Sequence, residues 1–164
     1  MEHVDANQYE GLASARGKEV GVTIDAETFA ITFNLIRAAN LLVAKLEQDV
    51  YRSRGVSYAG FRVMFALWVV GPTEPKQLAH LANVTRSSTS SVLNTLERDG
   101  LVERRRESAD RRLVTAALTE RGADLVHETF DKHHALETKW VSVLSATERK
   151  QAANVLRLLV TRGQ

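Results

Sequence analysis

Apolar residues recur at intervals of three, four and seven along most of this chain, and the breaks in that rhythm predict a series of helices around one hairpin. Phe29, Phe33, Ile36, Val43, Leu46 and Val50 share one face of a long helix that Asp25 can cap and the Ser53-Arg54-Gly55 turn ends. Leu35, Leu41 and Leu42 widen that face beyond what one neighbour covers, which points to several neighbours or to another subunit. Ser57 is placed to cap a second helix reaching about Val70, with Phe61, Phe65 and Trp68 on its inner side and Gly71-Pro72 as its stop. Thr73 reads as the cap of a short third helix, with Pro75 in its first turn and Leu78 and Leu81 facing inward. After the Asn83-Val84 turn, Thr85 caps a Ser/Thr-rich helix whose buried side is Thr89, Val92, Leu93 and Leu96, and Asp99-Gly100 ends it. Two short helices joined by such a turn form a helix-turn-helix, a pattern that ordinary helical cores also contain.

Beyond Gly100 two short extended runs, Leu101–Arg106 and Leu113–Leu118, read as strands joined by a polar tip. Thr119 fits the N-cap of a fifth helix, with Gly122 in its first turn and Val126, Phe130, Trp140 and Leu144 along its inner stripe. Ser145 and Glu148 form a capping box that opens a last helix with Ala152, Val155, Leu158 and Leu159 as its stripe. Residues Met1 to about Val22 hold no sustained period, and carry four acids against two bases. The expected fold is therefore mainly α with a small β wing. Its expected parts are a flexible N-terminal arm (1–24), a dimerisation helix (25–56), a winged helix-turn-helix domain (57–118) and C-terminal dimerisation helices (119–164). Both terminal blocks carry more apolar surface than the small central module can cover, and self-association would bury it.

Composition narrows this only in places. At 164 residues the chain suits one domain, or a dimerising module with a smaller head, and 44% hydrophobic residues are enough for a core. With no cysteine it offers neither a disulfide nor a thiolate metal site. The longest apolar run, Val63–Val70, is too short to span a bilayer, and no signal peptide opens the sequence, so the expectation is a cytoplasmic protein away from membranes. A net charge of +2 is only mildly basic, so its distribution matters more than its size. From Arg104 to Arg112 there are five arginines against Glu107 and Asp110. A helix followed by a basic hairpin suits duplex DNA, whose major groove admits a helix and whose narrow minor groove attracts arginine. Such a cluster also fits a solvated turn.

Catalytic patterns are missing from the sequence: there is no nucleophile elbow, no Gly-rich phosphate loop and no evident carboxylate pair, so no enzyme and no cofactor is expected. His127, His133 and His134, with Glu128 and Asp131, invite a metal reading on the fifth helix. His127 and His134 share a face, yet further ligands from another segment would be needed, and surface or interface histidines are the commoner use of such a pattern.

The run LVERRRESADRRLVTAALTERG closely resembles the wing and following helix of the multiple-antibiotic-resistance regulator (MarR) family of bacterial winged-helix transcription factors. The matching blocks are Leu96 to Arg104, Asp110-Arg111-Arg112 and Leu118 to Gly122, with Gln77-Leu78-Ala79 and the Thr85–Ser91 run fitting the two preceding helices. The resemblance covers roughly Asp25 to Arg162. It implies a homodimer built from the helices after Asp25, Thr119 and Ser145, each of its two heads placing a recognition helix in one half of a pseudo-palindromic operator of double-stranded DNA. Family members typically repress a neighbouring promoter, and many release DNA when a small, often phenolic, ligand binds between head and dimer region.

On the recognition helix Arg86, Ser87, Ser88, Ser90, Ser91 and Thr95 lie away from the apolar side and are the candidate DNA contacts. Many relatives carry arginine near Ser91, so base preference does not transfer. In the wing, Arg112 resembles the family's minor-groove arginine, with Asp110 bracing it and Arg111 beside it. Side chains alternate along a strand, so at most two of Arg104, Arg105 and Arg106 can face the DNA backbone, Arg104 and Arg106 being the pair on one side. The expected effector pocket involves Phe33, Arg37, Phe61, Phe65 and Trp68, although a packed aromatic core explains these residues equally well. Two other readings remain: a helical interaction module whose basic hairpin binds an acidic protein, and a metal-sensing regulator using His127 or His134.

Overall fold

Side-chain caps fix where most helices of this chain begin. In the computed structural model, which describes residues 5–106 and 114–162, Asp5, Asp25, Ser57, Thr85, Thr119 and Ser145 each accept a hydrogen bond from the backbone amide three residues on. The helices are α1 (Ala6–Glu19), α2 (Ala26–Leu46), α3 (Tyr58–Val70), α4 (Pro75–Leu81), α5 (Arg86–Arg98), α6 (Glu120–Trp140) and α7 (Ala146–Arg162), with strands β1 (Val102–Arg106) and β2 (Val114–Leu118) between α5 and α6. The chain divides into two compact units, one ending at Ala44 and the other beginning at Lys45.

In the first unit, the segment expected to be a flexible arm is the helix α1. Asp5 and Gln8 cap it reciprocally, and Arg16 and Lys18 sit near its C-terminal carbonyls. Its Tyr9 ring stacks on Phe33 of α2, the centroids 4.9 Å apart and the planes within 2°, while Asn34 donates to Glu10. A few specific contacts hold this helix, and for that reason it shows no apolar period. Asp25 caps α2 as expected, and hydrogen bonds to the Asp25 carboxylate from Thr28 hold its pKa below the usual range. Beyond Leu46 the helical path continues through a π-helical turn (Glu47–Tyr51) and a 3₁₀ turn (Arg52–Arg54), and Gly55 ends it at φ +70°. The whole stretch Ala26–Arg54 runs 29 residues at a mean hydropathy of 1.4, so by length and composition this helix, and not only the short run Val63–Val70, bears on the expectation of a protein away from membranes. Ile31, Ile36 and Leu41 are exposed in the single chain.

The second unit has its core where α3, α4, α5 and the strands converge. Phe61, Val63, Met64 and Leu67 of α3 meet Leu78 and Ala79 of α4, Thr89, Leu93 and Leu96 of α5, and Leu101, Val102, Ala116 and Ala117 around the strands, all buried. The strands pair antiparallel, Val102 opposite Leu118 and Arg104 opposite Ala116. Thr73 does not cap α4. Its amide donates to Ala116 O at 3.0 Å and its carbonyl accepts from Ala116 N at 2.9 Å, so it extends the sheet, and α4 starts from Glu74, which makes no side-chain cap. Pairing satisfies both backbone groups of Thr73, which one capping bond would not. Two residues placed on inner faces are half-open instead: Trp68 is 50% exposed and Leu81 43%. Both sit at the edge of their helix's buried arc, Leu81 on the wall of a cavity between α3, α4 and α6.

Gly122, in the first turn of α6, lies against the Leu101 carbonyl. Further along, Val126 and Thr129 are buried, and among the described residues the Thr129 hydroxyl has no hydrogen-bond partner. A buried, unpaired hydroxyl costs on the order of 1–3 kcal/mol. Thr129→Val, nearly the same shape without that oxygen, is expected to stabilise the protein by about 1 kcal/mol, a rise of roughly 2–4 °C in a thermal melt. A melt that moves down would show that the hydroxyl is satisfied in solution. The α7 stripe, by contrast, has no cover in the single chain: no residue of this helix is buried.

Candidate nucleic-acid interface and cavity

Helix α5 divides cleanly into two sides. Thr89, Leu93 and Leu96 are buried against α3 and α4, whereas Arg86, Ser87, Ser88, Ser90, Ser91 and Thr95 are all exposed. Thr85 Oγ1 lies 2.8 Å from Ser88 Oγ and 3.1 Å from Ser87 Oγ, and Ser90 Oγ donates to the Arg86 carbonyl at 3.2 Å. These hydroxyls keep lone pairs and, by rotating, a proton to offer outward. Thr119 Oγ1 donates to Gly100 O at 2.8 Å and Arg121 Nη1 to Asp99 O at 2.9 Å, so the end of α5 and the start of the wing are tied to α6.

At the base of the wing Arg104 and Arg105 are already engaged. Arg104 reaches back from β1 to α5, Nη1 donating to Glu97 Oε2 at 2.8 Å and Nη2 to Asn94 Oδ1 at 2.6 Å. Arg105 pairs with Glu103 on its own strand at 2.6 Å. Arg104 therefore braces hairpin against helix, and a phosphate would have to compete with Glu97 for it. Arg106 closes β1 opposite Val114. Asp110, Arg111 and Arg112 lie outside the described residues. A concavity that the sequence reading missed opens at the α4–α5 turn, where exposed Lys76, His80, Asn83 and Arg86 surround about 520 Å³. Lys76 and His80 are four apart on the outer face of α4, a spacing that could have marked them.

Behind the head, α3, the end of α4 and α6 enclose a second cavity of about 530 Å³, within the usual size range for small-molecule sites. Phe61, Phe65, Leu81 and Phe130 supply apolar wall, and Arg62, His133 and Glu137 supply polar groups. Phe65 stacks between Phe61 and Phe130, centroids 5.9 and 5.3 Å away. Of the expected pocket residues, Phe61 and Phe65 line this cavity, while Trp68 stacks on Phe65 at 5.8 Å without being part of the wall. Phe33 and Arg37 belong to the first unit, where the Arg37 guanidinium lies 5.4 Å from the Phe33 ring centroid.

The cavity's polar end is organised from the π-helical turn. Tyr51 is fully buried, and burial, reinforced by the charges of Tyr58, Glu137 and Glu47, pushes its phenol well above the ordinary tyrosine pKa. The phenol therefore keeps its proton, and it is hydrogen-bonded to His133 Nδ1. The other ring nitrogen, Nε2, faces Glu137 Oε1 at 2.9 Å. His133 is occupied on both sides; His134 stacks on Phe130 and lies 3.5 Å from Glu137, and His127 is exposed. Among the described residues no group of three His, Asp or Glu side chains gathers to hold a metal.

A buried-backed polar helix, a preceding short helix and a following two-stranded hairpin make a winged helix. The MarR family model matches residues 56–114, from the residue before Ser57 to the first residue of β2. Residues 56–114 of this chain are thus a MarR domain. It is 29% identical over 135 residues to YwaE of Bacillus subtilis (strain 168), an uncharacterized HTH-type transcriptional regulator, a match covering 82% of this chain and 79% of YwaE. Sco3205 of Streptomyces coelicolor, a MarR family transcriptional regulator solved in complex with DNA, superimposes with a TM-score of 0.76 at 25% identity, covering 84% of this chain and 88% of Sco3205. BpsR of Bordetella bronchiseptica, whose DNA binding is regulated by 6-hydroxynicotinic acid, superimposes with a TM-score of 0.74 at 25% identity, covering 79% and 98%. In this MarR-type transcriptional regulator, α4 and α5 are the helix-turn-helix and β1 and β2 the wing.

Proposed function

We propose that the protein is a homodimeric, sequence-specific repressor that binds a pseudo-palindromic operator in the cytoplasm and releases it when a small, phenolic-type ligand binds. The observation that carries this reading is the two-sided α5, whose outer face offers Arg86 and a run of hydroxyls to a major groove while its inner face is locked into the core. The DNA complex of Sco3205 supports it, and the ligand-regulated DNA binding of BpsR supports an effector in the cavity of α3, α4 and α6. The apolar face of α2 and the uncovered stripe of α7 are the surfaces two copies would share.

The test is a shift assay on the upstream intergenic DNA against scrambled competitor, followed by footprinting. Competitor-resistant binding with a two-fold footprint supports the repressor. Weak binding to any duplex, erased by salt, favours instead a basic hairpin made for an acidic protein. If Arg112 enters the minor groove as the family's wing arginine does, Arg112→Ala is expected to weaken operator binding about tenfold or more by fluorescence anisotropy, with the dimer and the melting temperature unchanged. Unaltered affinity would take the wing out of the mechanism.

A further inference from the structure

One cavity wall residue also holds the helix-turn-helix turn. Arg62 lines the cavity from α3, its guanidinium 5.3 Å from the Tyr58 ring centroid, and its Nη2 donates to the backbone carbonyl of Asn83 at 3.0 Å. Asn83 is the hinge of the α4–α5 turn and holds φ at +48°, the left-handed region that few non-glycine residues adopt. The same peptide unit is gripped from its other side, for the Val84 amide donates to Ala79 O at 2.9 Å. Leu81 and Ala82, immediately before the turn, line the cavity as well. Thr85, the cap of the recognition helix, follows one residue later. One peptide plane therefore sets how α5 leaves α4, and its carbonyl is held by a side chain that a cavity ligand can reach.

We propose that Arg62 couples the cavity to the recognition helix: an acidic group bound in the cavity takes the guanidinium and frees the Asn83 carbonyl. This rests on the effector reading of the cavity given above. Among the described residues Arg62 is the only arginine or lysine on that wall. Glu137 at the other end is already engaged by His133 and His134, so an anion is drawn to Arg62. A carboxylate can take two parallel N–H donors from a guanidinium, whereas the Asn83 carbonyl receives one, so the exchange favours the ligand. Once Arg62 has turned, the Asn83–Val84 peptide keeps only its amide bond, and the left-handed turn relaxes. The start of α5, with Arg86 and the serines, then loses its fixed bearing on the groove.

The test reads the turn directly, by amide exchange at Val84, with benzoate as the probe and benzamide as its uncharged counterpart. Benzoate is expected to speed Val84 exchange in the wild type about tenfold, the effect of losing a hydrogen bond to a charged donor, while benzamide leaves it unchanged. Arg62→Met, which keeps an unbranched apolar side chain but no donor, is expected to exchange fast from the outset and to ignore benzoate. Arg62→Lys, with a donor still available, is expected to recover protection. An Arg62→Met protein that protects Val84 like the wild type, or a wild type indifferent to benzoate, would overturn the coupling. Should Arg62→Met fail to fold, the wild-type comparison decides alone. The same proteins are then put on the operator. Normal DNA binding with an unmoved Val84 sinks the coupling and leaves the repressor, whereas a responsive Val84 without operator binding sinks the repressor and leaves the coupling.

Discussion

Gly122→Ala is expected to destabilise the winged-helix unit by about 3 kcal/mol, a fall of roughly 6–12 °C in melting temperature for a chain of this size. Helix propensity alone predicts the opposite, since alanine is favoured over glycine within a helix by about 1 kcal/mol. Sterics decide. A Cβ at this position would lie 2.0 Å from the Leu101 carbonyl oxygen, 2.9 Å from its carbon and 3.2 Å from Leu118 Cδ2. The carbonyl cannot retreat cheaply, because it accepts from the Thr119 amide at 3.1 Å, and Thr119 Oγ1 in turn caps α6 through Gly122 N and holds Gly100 O. Moving Leu101 would also pull a buried side chain out of the core at the root of the wing. Gly11→Ala is the control: a Cβ there meets nothing within 4 Å, and α1 should be unchanged or slightly firmer. A Gly122→Ala protein that melts within a degree or two of the wild type would mean that α6 does not approach the wing as closely as described.

What could be read from the sequence was mostly what is decided locally. A threonine or serine followed by an amide three residues on is a local bond, so the caps at Ser57, Thr85, Thr119 and Ser145 are legible, as are the left-handed stops at Gly55 and Gly100. The change of period after Gly100 likewise marks the two strands to within a residue. Thr73 shows the limit. Its neighbours make it look like a cap, and only the distant Ala116 makes it a strand residue. Helix α1 is hidden for a related reason, held by the Tyr9–Phe33 stack and the Asn34–Glu10 bond, neither of which leaves a periodic trace. In the candidate site, the outer face of α5 follows from its buried face. The partners of the wing arginines do not follow, because whether Arg104 meets Glu97 and Asn94 depends on the angle at which β1 crosses α5. The cavity was half legible: Phe61 and Phe65 are one turn apart on α3, but Phe130 and His133 arrive from α6, and Tyr51, which holds His133 from behind the wall, comes from a π-helical turn with no sequence signature.

Replacing both Leu158 and Leu159 with lysine is expected to convert the protein to a monomer and to weaken operator binding by at least a hundredfold. In the single chain Val155, Leu158 and Leu159 are 52, 52 and 45% exposed, and no α7 residue is buried. The helix nonetheless starts from a reciprocal cap, Ser145 N donating to Glu148 Oε2 at 2.7 Å, so α7 is well formed while its apolar stripe is uncovered. Such a stripe on a helix marks a surface kept for a partner. Lysines at half-exposed positions cost an isolated chain little, on the order of 0.5 kcal/mol. In a dimer they would bury unpaired charge, at several kcal/mol each, which is more than most interfaces can absorb. The DNA effect follows from valence. Two heads on one frame bind the second half-site at high effective concentration, an advantage of roughly 10²–10⁴ that a monomer forfeits. Sedimentation and anisotropy measured on the same samples separate the outcomes. A variant that stays dimeric places the interface elsewhere, for instance on the apolar face of α2. A variant that is monomeric yet holds its operator as tightly as the wild type would show that one head suffices and that two-fold recognition is not how this protein reads DNA.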